Sequence, residues 1–152
     1  MKLYFAYGAN LNKVSMAMRC PQATPYQSFE LRGWRLDFAH HATIRPHPGR
    51  CVQGALWRIT EDCERSLDAF EGYPDYYTKR ILEQDGREFM VYIMNPPLTG
   101  SPGAGYLDVI EQGYQEWNLD FECLDQAIDQ LPQNPYNIQY VDTSASTFEA
   151  TH

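Results

Sequence analysis

Basic residues are scarce in this chain: 12 Lys and Arg stand against 20 Asp and Glu, a formal net charge of -8, and nowhere do the cations form a run. A nucleic-acid backbone or an anionic membrane surface needs a clustered positive face, so neither is expected as a partner. Long apolar runs are missing as well. No stretch approaches the roughly 20 apolar residues of a membrane span, and the first residues, one Lys followed by strand-like sequence, lack the charged start, apolar core and cleavage site of a signal peptide. A soluble, cytoplasmic protein is the expectation.

Paired cysteine spacing is also absent. Cys20, Cys51, Cys63 and Cys123 are scattered and form no C-x-x-C, which removes a zinc or thioredoxin-like motif and leaves buried reduced thiols as the simpler reading. His40 and His41 are adjacent at what reads as a strand end, where neighbouring side chains point to opposite faces and do not easily share an ion. There is no G-x-S-x-G elbow, no H-E-x-x-H, no cysteine beside an evident base, and neither form of glycine-rich phosphate loop. Neither a metal nor a cofactor is implied.

What is present suits one domain handling a small molecule. The 152 residues are enough for one core without disulfides, and 11 Tyr with 3 Trp supply rings that can line a pocket while offering a hydroxyl or N–H. Residues 1–131 carry the structured pattern, and residues 132–152 read as an irregular extension with a frayed end. The oligomeric state is left open.

Element signals follow in order. A strand, Lys2 to Tyr7, meets a turn and then a short helix, "NKVSMAMRC", stopped by Pro21. Gln27 to Ala39 alternates on either side of Gly33, as one bent strand or two joined by a bulge. "IRPHPGR" reads as a loop and "VQGALWRI" as a strand. Thr60 is an N-cap, with acids behind it and Cys63, Leu67 and Phe70 as the apolar stripe of a helix ending at Gly72. Asp85-Gly86 centres a hairpin, and two amphipathic helices joined near Asn118 close the domain after a Pro/Gly loop. The expected class is α+β, a small mixed curved sheet or β-barrel with flanking helices.

Two segments stand out chemically. In "LYFAYGANLN" a strand breaks at Tyr7-Gly8-Ala9-Asn10; Gly8 tolerates a positive φ, so backbone N–H groups there can form an anion-binding nest, with the Asn10 amide beside them. Taken alone, an ordinary strand-to-loop turn is the better reading of this segment. In "LDAFEGYPDYY", Glu71 sits at a helix C-terminus, where the dipole disfavours a negative charge, between Phe70 and Tyr73. Isolation among aromatics raises a carboxyl pKa and suits it to accept a proton near neutrality. Asp75 is the nearby alternative, although Pro-Asp-Tyr has the look of a turn.

These segments, in this order, with "LRGWRLDF" and "VQGALWRI" between them and "SPGAGYLDVIEQGYQEWNL" after them, resemble the γ-glutamylcyclotransferase family. The resemblance runs from Lys2 to about Leu131 and includes the AIG2-like and γ-glutamylamine branches. It implies that Tyr7, Gly8, Ala9, Asn10 and Leu11 hold the glutamyl end of the substrate and that Glu71 is the acid/base. It also places a pocket tyrosine at Tyr77, with Tyr76 beside it, and another at Tyr106, while Gly103 stands where the family's serine is usual. The implied reaction closes the substrate's α-amine onto its own γ-carbonyl, releasing 5-oxoproline and an amine. No enzyme nucleophile is needed, only a folded substrate, a base and an oxyanion site. Arg45, Arg58 and Arg80 are candidates for the substrate α-carboxylate, and the leaving group is open.

Overall fold

The computed structural model describes residues 1–96 and 100–131; the extension expected over 132–152 and part of the Pro/Gly loop lie outside the described residues. Five strands, β1 (Lys2–Ala6), β2 (Thr24–Ala39), β3 (His41–Ile59), β4 (Tyr77–Gln84) and β5 (Arg87–Met94), form one sheet in the order β2-β3-β1-β5-β4. β1 is central, antiparallel to β3 from Lys2 opposite Ile59 to Ala6 opposite Ala55, and parallel to β5 at Tyr4 opposite Met90. The sheet is therefore mixed, as expected.

Its curvature is visible in the core. Phe5 on β1, Phe29 on β2 and Phe89 on β5 pack together, with the Phe29 and Phe89 ring centroids 5.3 Å apart although two strands separate theirs in the sheet. A flat sheet would hold those rings well beyond contact at about 4.8 Å per strand step. Side chains bridge the two edge strands: Gln84 accepts the Arg32 N–H at 2.8 Å and donates to the Glu30 carbonyl at 2.8 Å. Burial of this aromatic trio is the driving force for the curl.

Most local signals become the elements they suggest. Gly33 (φ 85) marks a register shift within β2, and Asp85 and Gly86, both at positive φ, turn the β4/β5 hairpin. The stretch from Ile44 to Arg50 differs. It belongs to β3 and not to a loop: Ile44, Arg45 and Pro46 pair with Leu36, Arg35 and Trp34, while residues 47–50 bulge opposite Gly33. Of β3, β1 pairs only with the far end, from Ala55 to Ile59, so residues 44–50 are not a central part of the sheet, and proline is tolerated at such an edge or bulge.

Helices α1 (Lys13–Arg19), α2 (Glu61–Glu71), α3 (Ala104–Glu116) and α4 (Glu122–Asp129) flank the sheet. Thr60 caps α2 by accepting the Cys63 N–H at 3.1 Å, and Gly72, left-handed, ends it. Lys79 on β4 donates to Glu64 at 2.6 Å and to Asp68, and Lys2 on β1 donates to Glu64 at 2.7 Å, so α2 is tied to two strands. Phe70 departs from the expected apolar stripe: Cys63 and Leu67 are buried, but Phe70 is 50% exposed. α3 comes close to the segment after β1, where Gly113 leaves no room for a side chain: a Cβ there would lie 2.6 Å from that of Leu11.

Candidate active site

After β1 the chain makes one 3-10 turn, Ala9–Leu11, closed by Leu11 N–H to the Gly8 carbonyl (3.0 Å) and Asn12 N–H to the Ala9 carbonyl (3.1 Å). The first N–H groups of such a turn have no partner within it, so those of Ala9 and Asn10 stand at its open end. Gly8 has φ -128, not the positive φ expected for it. Crowding favours glycine there: a Cβ would lie 3.2 Å from the Ala42 Cβ and 3.3 Å from the Tyr106 hydroxyl, so either neighbour would have to give by a few tenths of an ångström.

The turn borders a cavity of about 200 Å³. Tyr4, Tyr7, Gly8, Ala9 and Asn10 line it from the β1 side, Phe70 and Glu71 from the end of α2, and Tyr76 and Tyr77 from just before and at the start of β4. His41 and Ala42 of β3, Tyr92 of β5 and Tyr106 of α3 complete it. Thus six of the expected residues besides Leu11, namely Tyr7, Gly8, Ala9, Asn10, Tyr77 and Tyr106, come together with Glu71 on one space. Leu11 does not line it. Its side chain is fully buried in the core and its carbonyl accepts the Trp117 indole N–H at 2.8 Å, so it anchors the turn from beneath.

The tyrosines are held by their hydroxyls. Tyr7 donates to the Tyr92 carbonyl (2.6 Å), Tyr77 donates to the Ala42 carbonyl (2.6 Å), and Tyr106 accepts the Ala42 N–H (2.9 Å). The backbone of one β3 residue, Ala42, is in this way clamped between two phenols. Burial pushes the Tyr4, Tyr7, Tyr77, Tyr92 and Tyr106 hydroxyls upward, so they stay protonated and polar without charge. Tyr76 and Tyr77 both face the cavity but differ in kind: Tyr77 is 5% exposed, whereas Tyr76 is 41% exposed and shares a 2.8 Å hydrogen bond with His41 Nδ1.

Glu71 is the charged group of this wall. Burial raises its carboxyl from 4.5 to about 7, against the opposing pull of Arg19. Asn10, itself 3% exposed, donates through Nδ2 to Tyr4 Oη at 2.9 Å and reaches Glu71 Oε1 at 3.4 Å, while its Oδ1 accepts from Arg19 Nη1 at 2.6 Å. A carboxyl poised near neutrality in the same cavity as the start of this turn can take up and return a proton while an oxyanion forms at the turn's N–H groups. Asp75 is exposed and outside the cavity.

Arg45 pairs with Asp37 at 2.6 Å, Arg58 lies over Tyr26 and Arg80 over Trp34, all away from the cavity. Tyr4, Tyr92, His41 and Arg19 were not singled out by sequence for this site. Tyr4 and Tyr92 fall in expected strands and Arg19 in the short helix before Pro21; only the meeting of these elements with the end of α2 brings them to Glu71. Among the described residues no group of three or more His, Cys, Asp or Glu is placed to hold a metal.

A family model described as gamma-glutamyl cyclotransferase, AIG2-like, matches residues 4–118. Gamma-glutamylcyclotransferases of Homo sapiens and Bos taurus are 29% and 31% identical to the chain, in each case over 79% of it and 73% of the relative. A solved gamma-glutamyl cyclotransferase superposes with a TM-score of 0.75 at 27% identity, over 89% of this chain and 90% of that one. An uncharacterized protein of Pyrococcus horikoshii, at 10% identity and a TM-score of 0.56 over 66% of this chain and 84% of that one, shares the fold.

Proposed function

The chain belongs to the gamma-glutamyl cyclotransferase, AIG2-like family, and from that membership we propose that it converts γ-glutamyl amino acids, peptides or amines to 5-oxoproline and a free amine, with Glu71 as general acid/base. The observation that carries this is the Glu71 carboxyl at about 7 inside a tyrosine-lined cavity that also contains the turn. A γ-glutamyl α-amine titrates near ~8 and an ordinary Glu near ~4.3, so transfer between them would be uphill by about 5 kcal/mol. With the base at about 7 the gap shrinks to about 1 kcal/mol.

The α-amine attacks the γ-carbonyl carbon, its proton passes to Glu71, and the carbonyl oxygen becomes an oxyanion within reach of the Ala9 and Asn10 N–H groups. Collapse breaks the amide bond, and Glu71 returns the proton to the departing nitrogen. The five-membered ring forms within one substrate, so holding it folded supplies much of the acceleration. The phenols of Tyr77 and Tyr106, fixed on Ala42, give the cavity a rigid wall against which that folding occurs.

The test is to incubate the purified protein with γ-glutamyl-alanine and with γ-glutamyl-lysine isopeptide and to measure 5-oxoproline. Release from at least one is expected, and which one responds identifies the leaving group. No 5-oxoproline from any γ-glutamyl substrate would instead favour a barrel that binds a glutamyl-like metabolite without turning it over.

A further inference from the structure

Asn10 has two different faces, and something must decide which of them meets Glu71. A carboxamide carries an acceptor oxygen and a donor NH₂, and a half-turn about its last bond exchanges them. Arg19 settles the choice. A guanidinium is all donor, so the atom 2.6 Å from Arg19 Nη1 has to be the Asn10 oxygen, and the NH₂ is then turned toward Tyr4 Oη (2.9 Å) and Glu71 Oε1 (3.4 Å). Arg19 is itself fixed: half-buried at the end of α1, it lies over the Phe70 ring at 3.7 Å to the centroid, next to Glu71 on α2. One side chain thus joins α1, the turn and the end of α2.

We infer that Arg19 is a positioning residue of this site, which holds the Asn10 amide with its donor side toward Glu71 and places a positive charge behind that carboxylate. The inference rests on the reaction proposed above but can fail separately from it. The other groups lining the cavity with Glu71 are the phenols of Tyr4 and Tyr7 from the β1 side, Tyr76 just before β4 and Tyr77 at its start, Tyr92 from β5 and Tyr106 from α3, together with His41 from β3. Burial holds those phenols protonated. Arg19 is the cation that draws the carboxyl downward against burial. Without it Glu71 would titrate higher, and less of the base would be ionised at neutral pH.

Three proteins test this, wild type, Arg19→Met and Arg19→Lys, each compared in kcat/KM for 5-oxoproline release between pH 6 and 9 and in the carboxyl-carbon NMR titration of Glu71. Lysine keeps a charged, donor-only group; methionine removes both properties while keeping an apolar stem. An opposite charge within about 4–6 Å lowers a carboxyl by about one unit or more, and Arg19 acts on Glu71 in that direction. The acid limb of Arg19→Met should therefore move up by about one unit, which makes its deficit about sevenfold larger at pH 6.5 than at pH 9. Arg19→Lys should keep the wild-type limb, and His41 is common to all three. If Arg19→Met does not fold, Arg19→Gln, a donor without charge, must show the same displacement. A limb and a Glu71 titration unmoved in the folded neutral variant would overturn the inference. Absence of 5-oxoproline from wild type would sink the proposed reaction and leave the NMR titration to decide the role of Arg19.

Discussion

The two ends of α2 obey opposite rules. At its start Thr60 caps the first turn and Glu61, Asp62 and Glu64 face the positive end of the helix dipole, each in the place that favours it. At its finish stands Glu71, a carboxylate at the negative end, with no basic residue in the last turn of its own helix. Charge is arranged for stability at one end and against it at the other. Eleven residues thus contain both a folding device and a chemical one, and the second is recognisable because it violates what the first respects.

Substitutions at the two ends should separate these roles. The largest effect is expected from Glu71→Gln, which should lower turnover on the order of 10²-fold or more; near-normal 5-oxoproline release would remove Glu71 from the mechanism. The same variant should be the more stable protein at alkaline pH. Because the folded carboxyl titrates at about 7 and the unfolded one near 4.5, Glu71 favours folding at low pH and loses that contribution as pH rises through 7. Thermal melts at pH 8.5 and pH 5 should show a gain for Glu71→Gln only at the higher pH, with a ceiling of about 3 kcal/mol.

A smaller and inverse result is expected at the start of the helix. Thr60→Ala removes the acceptor for the Cys63 N–H and should cost about 1 kcal/mol by chemical denaturation while changing kcat less than twofold. A large loss of turnover there would mean that the two ends are not independent. Smallest of all, Arg65→Ala breaks an exposed ion pair with Asp62, both side chains 68% exposed, and should shift stability by less than about 0.5 kcal/mol.

Local chemistry explains which features were legible in the sequence. The Thr60 cap, the Asp85-Gly86 turn, the bulge at Gly33 and the break at Asn118 are set by neighbours within a few residues, and each is where its signal placed it. Glu71 was visible for the same reason, as a residue in the wrong place on its own helix. Residues 44–50 misled because Pro46, Pro48 and Gly49 signal a break, whereas an edge or bulge of a strand accommodates them. Arg19, Tyr4 and Tyr92 were hidden for a different reason: their role depends on three elements meeting. The arginines on β3 and β4 invited attention by charge alone, and the register carries them elsewhere.

The narrow space between Gly8 and Ala42, tight for even one added carbon, also bears on how such a protein could lose its activity. Both residues border the cavity, and a single added carbon at Gly8 would already crowd Ala42 and the Tyr106 hydroxyl. Floor space in this chamber is set by two of the smallest side chains available. A descendant carrying bulk at either position could keep its sheet, its tyrosines and even Glu71, and still be sealed. An intact glutamate is therefore no certificate of a working enzyme unless the residues that leave the chamber empty have been inherited with it.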